Sequence, residues 1–326
     1  MGTSHLLSGE GYGCWPFPGA VLPGPMPLLR LWNFHTKAVQ LYHGIANQGF
    51  APAQIALGRC HEDGYGVDQD YDKAVGWYAE AAAQGDEGAR TAIAFLRAWF
   101  ALAGWGVPQS DVDAVSLWQQ VRDRSAGTTH RSIALHMLGW MHYLGRGTKK
   151  DWRKGARLMQ EGTSDEFPLD PDVVLAAKRS SFGSDTLAAR KFLKLCEYGS
   201  ERDWLCKHLV AVCMINGFGR SRNEATAFGI FEELANQGHS DSQFWTGKCY
   251  FDGLGVSVDK AKAFEWSSKA AGQGNSYGQR WIGYCYEWGA GVSHNRTKAI
   301  EWYRRSADQS NRDGQDCIRI CNYQDF

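Results

Sequence analysis

The chain has no surplus of charge: 35 Lys and Arg balance 35 Asp and Glu over 326 residues. Neither half holds a basic block, which argues against nucleic acid as the main partner, because phosphate binding needs clustered positive charge. Long apolar runs are also missing. The nearest candidate, 92–107, is broken by Arg97 and Gly104 and falls short of the ~20 apolar residues that span a bilayer, so no membrane insertion is expected. The opening residues, MGTSHLLSGEGYG, lack the basic start and apolar core of a secretory signal. Leu6 stands where a myristoylation signal wants Ser or Thr. A cytoplasmic location is the expectation.

Catalytic and metal motifs are equally scarce. Among ten histidines there is no HExxH and no His-x3-His pair. His130, His136 and His142 recur at a spacing of six, which spreads them around a helix rather than lining them up on one face. Cys317 and Cys321 could share a helical face, but no second pair lies near them in sequence. No Gly-x-Ser-x-Gly occurs, and no Ser-x-x-Lys with its partner motifs, so no nucleophile with its base can be assembled. Gly11-Tyr12-Gly13 is followed by neither Lys-Ser nor Lys-Thr, which removes a phosphate loop. No catalytic residue, cofactor or metal is expected.

What the chain does have is a period. Gly247/Gly283, Cys249/Cys285, Tyr250/Tyr286, Gly253/Gly289, Gly255/Gly291, Asp259/Asn295, Ala263/Ala299 and Trp266/Trp302 are each 36 residues apart. A fixed period of this size marks a solenoid. In each unit a first helix stops at Gly-x-Gly, where glycine supplies a left-handed backbone. Val256 is expected to drop into the core, and Asp259 to cap the second helix. That helix carries Ala263, Trp266, Ser267 and Ala270 at helical period. Glycine recurs inside the first helix at Gly58, Gly139, Gly247 and Gly283, which suggests a close approach by the second.

These residues carry a resemblance. Leu57–Gly85 (LGRCHEDGYGVDQDYDKAVGWYAEAAAQG) and 247–274 resemble the Sel-one-like repeat (SLR), a relative of the tetratricopeptide repeat, and the likeness runs from about Lys37 to the C-terminus. It implies an all-α fold: a right-handed αα superhelix of about seven helix–turn–helix repeats with partial caps. It also implies a non-catalytic scaffold or adaptor that binds a protein or peptide, and it brings no shared catalytic residues. Members linked to penicillin binding offer no analogy here, where the motif set is missing. Secreted members staple the two helices of a unit by disulfides. The nine cysteines here do not follow that regular pairing; Cys60, Cys213, Cys249 and Cys285 occupy one repeated position, four before the turn glycine, and read as buried thiols.

In chain order, 1–36 is rich in glycine and proline and is expected to be irregular or disordered. The solenoid follows over 37–321. Its repeats lie near 50–85, 86–127, 128–162, 163–199, 200–238, 239–274 and 275–310, with a C-terminal cap at 311–321. The unit 163–199 is degenerate: Ser181 replaces the turn glycine, with a first helix expected near 171–179 and a second near 185–198. Its approach, 165–172, reads as an exposed loop, and the whole unit as the weakest interface, a hinge between 37–162 and 200–321.

The functional signal lies on the first helices. Nine, five and two residues before the turn glycine, side chains are expected to face the inner curve. There the middle units carry Phe95, Trp99, Trp140, Tyr143, His208, Ile215, Phe244, Lys248, Phe251 and Tyr284. An apolar stripe where polar residues should stand marks a partner site on the concave face, unless packing or self-association covers it. Two alternatives are kept. One is an enzyme with a site on the array, built on His136, His142 and His208. The other is a luminal adaptor of an endoplasmic reticulum degradation complex, for which Asn295-Arg296-Thr297 would be a glycosylation triplet.

Overall fold

The computed structural model describes residues 28–125, 128–178, 183–309 and 314–318. They are all-helical and built as tandem hairpins. In order the helices are α1 (Leu28–Ala46), α2 (Ala51–Asp63), α3 (Tyr71–Ala83), α4 (Glu87–Ala103), α5 (Asp111–Arg124), α6 (Thr128–Leu144), α7 (Trp152–Gly162), α8 (Pro171–Val174) and α9 (Leu187–Gly199). There follow α10 (Trp204–Asn216), α11 (Glu224–Asn236), α12 (Ser240–Asp252), α13 (Lys260–Gly272), α14 (Ser276–Trp288) and α15 (Arg296–Asp308). The first compact unit runs to Leu96 and takes in Arg124–Thr128; the second comprises Arg97–Asp123 and continues from Thr129. Among the described residues no helix is long and apolar enough to cross a membrane. Helix α1 begins at Leu28, inside the segment expected to be irregular, while 1–27 lies outside the described residues. Of the expected cap, 314–318 is helical and the rest lies outside them.

The repeat chemistry is visible bond by bond. Helix α12 ends at Gly253, whose φ of 75° is left-handed and whose N–H donates to the Cys249 carbonyl. Gly64, Gly217 and Gly289 do the same to Cys60, Cys213 and Cys285, so the repeated cysteine is the residue whose carbonyl closes the helix. The next glycine has a different job. A Cβ on Gly255 would run into the Glu224 carbonyl at the start of α11, and one on Gly291 into that of Lys260 at the start of α13. The second glycine is therefore where one hairpin sits on the one before it. Asp70, Asp151, Asp259 and Asn295 each cap the second helix of their hairpin. Leu254 fills the core beside the turn, whereas Val256 is only half-buried.

A polar ladder repeats as well. Gln84 donates to Gln54 at 2.8 Å, and Gln273 to Gln243 and Gln309 to Gln279 at 2.7 Å, joining the two helices of each hairpin. Gln54, Gln243 and Gln279 donate in turn to carbonyls of the preceding hairpin, at Ala46, Ala235 and Ala271.

The glycine inside the first helix is a contact point, as its recurrence suggested. A Cβ on Gly247 would stand 2.5 Å from Ser267 Oγ and 3.1 Å from the Ala263 carbonyl; on Gly58 or Gly283 it would strike the ring of Tyr78 or Tyr303. Gly247→Val is expected to lower stability by about 1–3 kcal/mol through overpacking and a stiff side chain, read as a lower urea midpoint. An unchanged midpoint would show that α12 and α13 can part at no cost.

The departure from the repeat is at 163–178. A first helix was expected over 171–179, but only α8, four residues long, forms; 179–182 lies outside the described residues. The second helix, α9, stands where it was expected. Nor is 165–172 an exposed loop. Phe167 and Leu169 are buried in alternation with exposed Glu166 and Pro168, the period of an extended chain with one face on a core, and Pro171, Val173 and Val174 of α8 are buried after them. Phe167 meets the rings of His136, Phe192 and Phe218 at 5.3–5.5 Å, and Thr186 Oγ1 donates to the Glu166 carbonyl at 2.6 Å. The missing turn glycine is replaced by a bridge: Ser184 N–H donates to the Gly217 carbonyl at 3.0 Å, and Gly219 N–H to the Ser184 carbonyl at 2.6 Å. This packing is that of a strap, not of a hinge.

Candidate partner-binding site

The expected stripe divides sharply. Phe95, Trp99, Trp140, His208, Ile215 and Phe244 are at most 1% exposed, and Tyr143 is buried too. They offer no surface to a partner, which corrects the expectation that they line an open face. For those beyond Leu96 the cause is that inner faces of the second unit meet one another. Trp99 of α4 packs on Trp118 and Phe192. Trp140 of α6 takes the edge of His208 on α10, and Tyr143 O–H donates to Asp241 of α12 at 3.0 Å. A periodic pattern marks which side of a helix faces inward. It carries no information on what else lies there.

Lys248, Phe251 and Tyr284 remain half-buried, on α12 and α14. They come together with residues the stripe omitted. The Phe251 ring is 4.9 Å from Trp281 and 5.9 Å from Tyr284, and Trp281 stacks on Tyr284 at 4.9 Å. Trp288, 69% exposed, lies 6.3 Å beyond Tyr284. Lys248 Nζ sits 4.0 Å over the Trp281 ring and pairs with Asp252 at 2.9 Å. Lys260 Nζ sits 3.1 Å over Phe251 and donates to its carbonyl. An aromatic shelf bordered by cations results.

Beside the shelf is a cleft of about 260 Å³, lined by Ala176, Ala177, Lys178, Ile215, Asn216, Trp245, Lys248, Asp252, Leu254, Arg280 and Trp281. One wall is the end of the strap, fixed there by the Trp245 indole N–H, which donates to the Val174 carbonyl at 3.1 Å. Ala177 in that wall has a φ of 49°, a left-handed conformation that costs an alanine about 1–2 kcal/mol. Trp245 and Trp281 were missed, although both stand eight before a turn glycine and are 36 residues apart. Lys178 and Ala177 had no such signal, because they come from outside the repeat.

The histidines weighed as an enzyme site do not line this cleft. Burial holds His136 and His208 neutral, their pKa lowered to about 3. His136 Nε2 lies 3.2 Å from the Trp140 indole nitrogen, and His208 Nδ1 2.9 Å from Ser242 Oγ. His142, also buried, lies near Thr148 at 3.5 Å and its pKa is lowered chiefly by burial. Each is packed within the helices. Among the described residues no group of three or more His, Cys, Asp or Glu is placed to hold a metal ion. Among the described residues no cysteine is in a disulfide; Cys60, Cys196, Cys206, Cys213, Cys249 and Cys285 are buried and Cys317 half-buried.

The Sel1 repeat pattern matches residues 51–86, 132–164, 205–239, 240–275 and 276–311, together more than half of the chain. No curated protein matches it. Among solved structures, it is similar to a protective antigen of uropathogenic Escherichia coli strains with an SLR fold, at 27% identity and a TM-score of 0.35. That likeness covers 86% of this chain but only 58% of the antigen. A Sel1 repeat protein of Oxalobacter formigenes is 19% identical, with a TM-score of 0.36 and cover of 85% and 94% of the two chains.

Proposed function

The chain belongs to the Sel1 repeat family, whose members are generally protein-interaction scaffolds, and from that premise we propose that it holds a segment of another protein on α12 and α14. The observation that carries this reading is the shelf of Phe251, Trp281, Tyr284 and Trp288. In it Phe251 and Tyr284 of the inward-facing stripe are left half-buried, and Trp288 beside them is exposed. Tyr and Trp give large contact area at little entropic cost, which is why they dominate binding energy in interfaces. No side chain in the shelf or cleft is placed as a nucleophile with its base, so a non-catalytic adaptor is the reading. The buried thiols support a reducing compartment such as the cytoplasm.

The test is a double substitution. Phe251→Ala with Tyr284→Ala is expected to cost a bound partner about 2 kcal/mol or more, the scale of an interface hot spot, which is some 30-fold in affinity. Trp266→Ala, on the second helix of the same repeat, serves as control. Proteins cross-linked to the intact chain should be lost from the double variant and kept by the control. If both variants retain them, the shelf is not the binding surface.

A further inference from the structure

Helix α1 and the helical stretch 314–318 are each one half of a hairpin, and the halves are of opposite kind. Ala81, Leu234, Ala270 and Ser306 stand three residues before the glutamine that closes a second helix, and each is at most 1% exposed. What covers this position is the first helix of the same hairpin: Ser306 Oγ donates to the Ser276 carbonyl of α14 at 2.7 Å. By the same register α1 is a second helix, closing on Asn47-Gln48-Gly49, and Ile45 is its counterpart of Ala81. Ile45 is 45% exposed, and Leu41, one turn before it, 70%. Among the described residues no first helix precedes α1. The polar ladder stops at the same place. Gln84, Gln273 and Gln309 each donate to a glutamine thirty residues earlier. Thirty residues before Gln48 the sequence has Pro18, and among the described residues the Gln48 side chain has no partner.

The stretch 314–318 is the converse. Gly314 and Gln315 stand 36 residues after Gly278 and Gln279. A Cβ on Gly314 would meet Ser306 Oγ at 2.8 Å and Ala307 N at 3.1 Å, as one on Gly278 would meet Ala270 Cβ and Ala271 N at 3.1 Å. This stretch is therefore seated as the first helix of a further hairpin, with Cys317 and Ile318 packed on Ala299 and Tyr303. Gln54, Gln243 and Gln279 are 3–8% exposed and each accepts from the glutamine of its second helix. Gln315 is exposed, and among the described residues no second helix follows it.

We propose that copies of this chain join head to tail, 314–318 of one copy lying on α1 of the next as the two helices of one hairpin. Ile45 is then covered as Ala81 and Ala270 are, and Gln48 donates to Gln315 as a further rung of the ladder. The occupant is a second copy because the two faces carry matching halves of one contact set. A repeat unit buries its faces only against neighbours, so the joint supplies each half with what the other hairpins already have. The contact is heterologous, since its two faces differ. The aromatic shelf takes no part in it.

Sedimentation equilibrium of the full chain over a concentration series should show a mass rising above the 36.3 kDa of one copy. Ile45→Glu and Gln315→Lys each place an unpaired charge in the joint and should weaken association at least ten-fold. Both residues are exposed within one copy, so urea midpoints should not move. Gln48→Glu, which removes the donor of the new rung, is a second variant of the α1 face and should weaken association likewise. The decisive sample is a mixture. Ile45→Glu chains keep an intact 314–318 and Gln315→Lys chains an intact α1, so equal amounts should form a 1:1 dimer and nothing larger. Phe251→Ala with Tyr284→Ala should associate as the unsubstituted chain does. A chain that is monomeric at every concentration overturns the proposal, and so does a mixture that stays monomeric. Association kept by Gln315→Lys alone would mean that two α1 faces meet each other, which overturns it too. Association kept by Ile45→Glu, or lost with the shelf variant, places the joint elsewhere and has the same consequence.

Discussion

Phe167→Ala is expected to destabilise the protein by about 3–5 kcal/mol, the range for truncating a fully buried aromatic ring. Phe167 has no exposed surface, and its ring is surrounded by His136, Phe192 and Phe218 from three elements of the second unit. The rings meet nearly edge to face, at 72–90°, so shape and quadrupole are lost together with area. Phe192 and Phe218 also touch each other, and a collapse that refilled the hole would have to move a turn and a helix at once. Such sites fall at the costly end of the range, because the cavity persists. Urea unfolding gives the number. A cost under about 1 kcal/mol would mean that the strap is dressing on a core complete without it. Hydrogen exchange tests the same point without a substitution: 167–175 should exchange as slowly as 240–272, whereas a hinge would exchange fast.

The hairpins were legible in the sequence because their chemistry is local. Gly253 closes α12 onto Cys249, four residues back, and Asp259 caps α13 through Lys262 N–H, three residues on. Each such bond lies inside one period and recurs in the next, so it shows as a repeated letter. The close approach at Gly247 was legible for the same reason, since its contacts with Ala263 and Ser267 stay within the hairpin. The strap was not. Its partners stand 20 to 71 residues away, from Thr186, which donates to Glu166, to Val174's donor Trp245, and none is fixed by the period. Its prolines point to a loop, and the short run 167–169 is too brief an alternation to mark a buried extended chain on its own. The same blindness misplaced the site. Position in the repeat placed Trp140 and Tyr284, each five before its turn glycine, on the inner face on equal terms. Only the tertiary contacts of α6 with α10 and α12 seal the first in, while the second is left half-buried on the aromatic shelf.

Acid should unfold this protein well above the pH at which carboxylates protonate. His136 and His208 are fully buried, and burial lowers both to about 3, against about 6.5 in an unfolded chain. The sign follows from proton uptake. Between those values the unfolded state holds a proton on each ring and the native state does not, so stability falls as pH falls, from about pH 6.5 downward. Each ring contributes about 1.4 kcal/mol per pH unit once the unfolded histidine is charged. Between pH 7 and pH 5 this comes to roughly 2 kcal/mol per histidine and 4 for the pair. His61, His142 and His239 are lowered too, chiefly by burial, and act in the same direction. Asp241 opposes them. Burial raises its pKa against the hydrogen bonds of Tyr143 and Asn275, so protonating it in the folded state restores some stability at the acid end. Asp70, held low by the Lys73 backbone N–H, adds its loss only below the ordinary carboxylate range. Urea midpoints at pH 7 and pH 5 in one buffer series measure the sum. His136→Gln with His208→Gln should lower stability at pH 7, because two core contacts go, yet flatten the pH 7 to pH 5 slope by most of its height. If the unsubstituted protein has the same midpoint at both pH values, these rings are not held neutral in the fold, and the packing of His136 against Phe167 is looser than the structure shows.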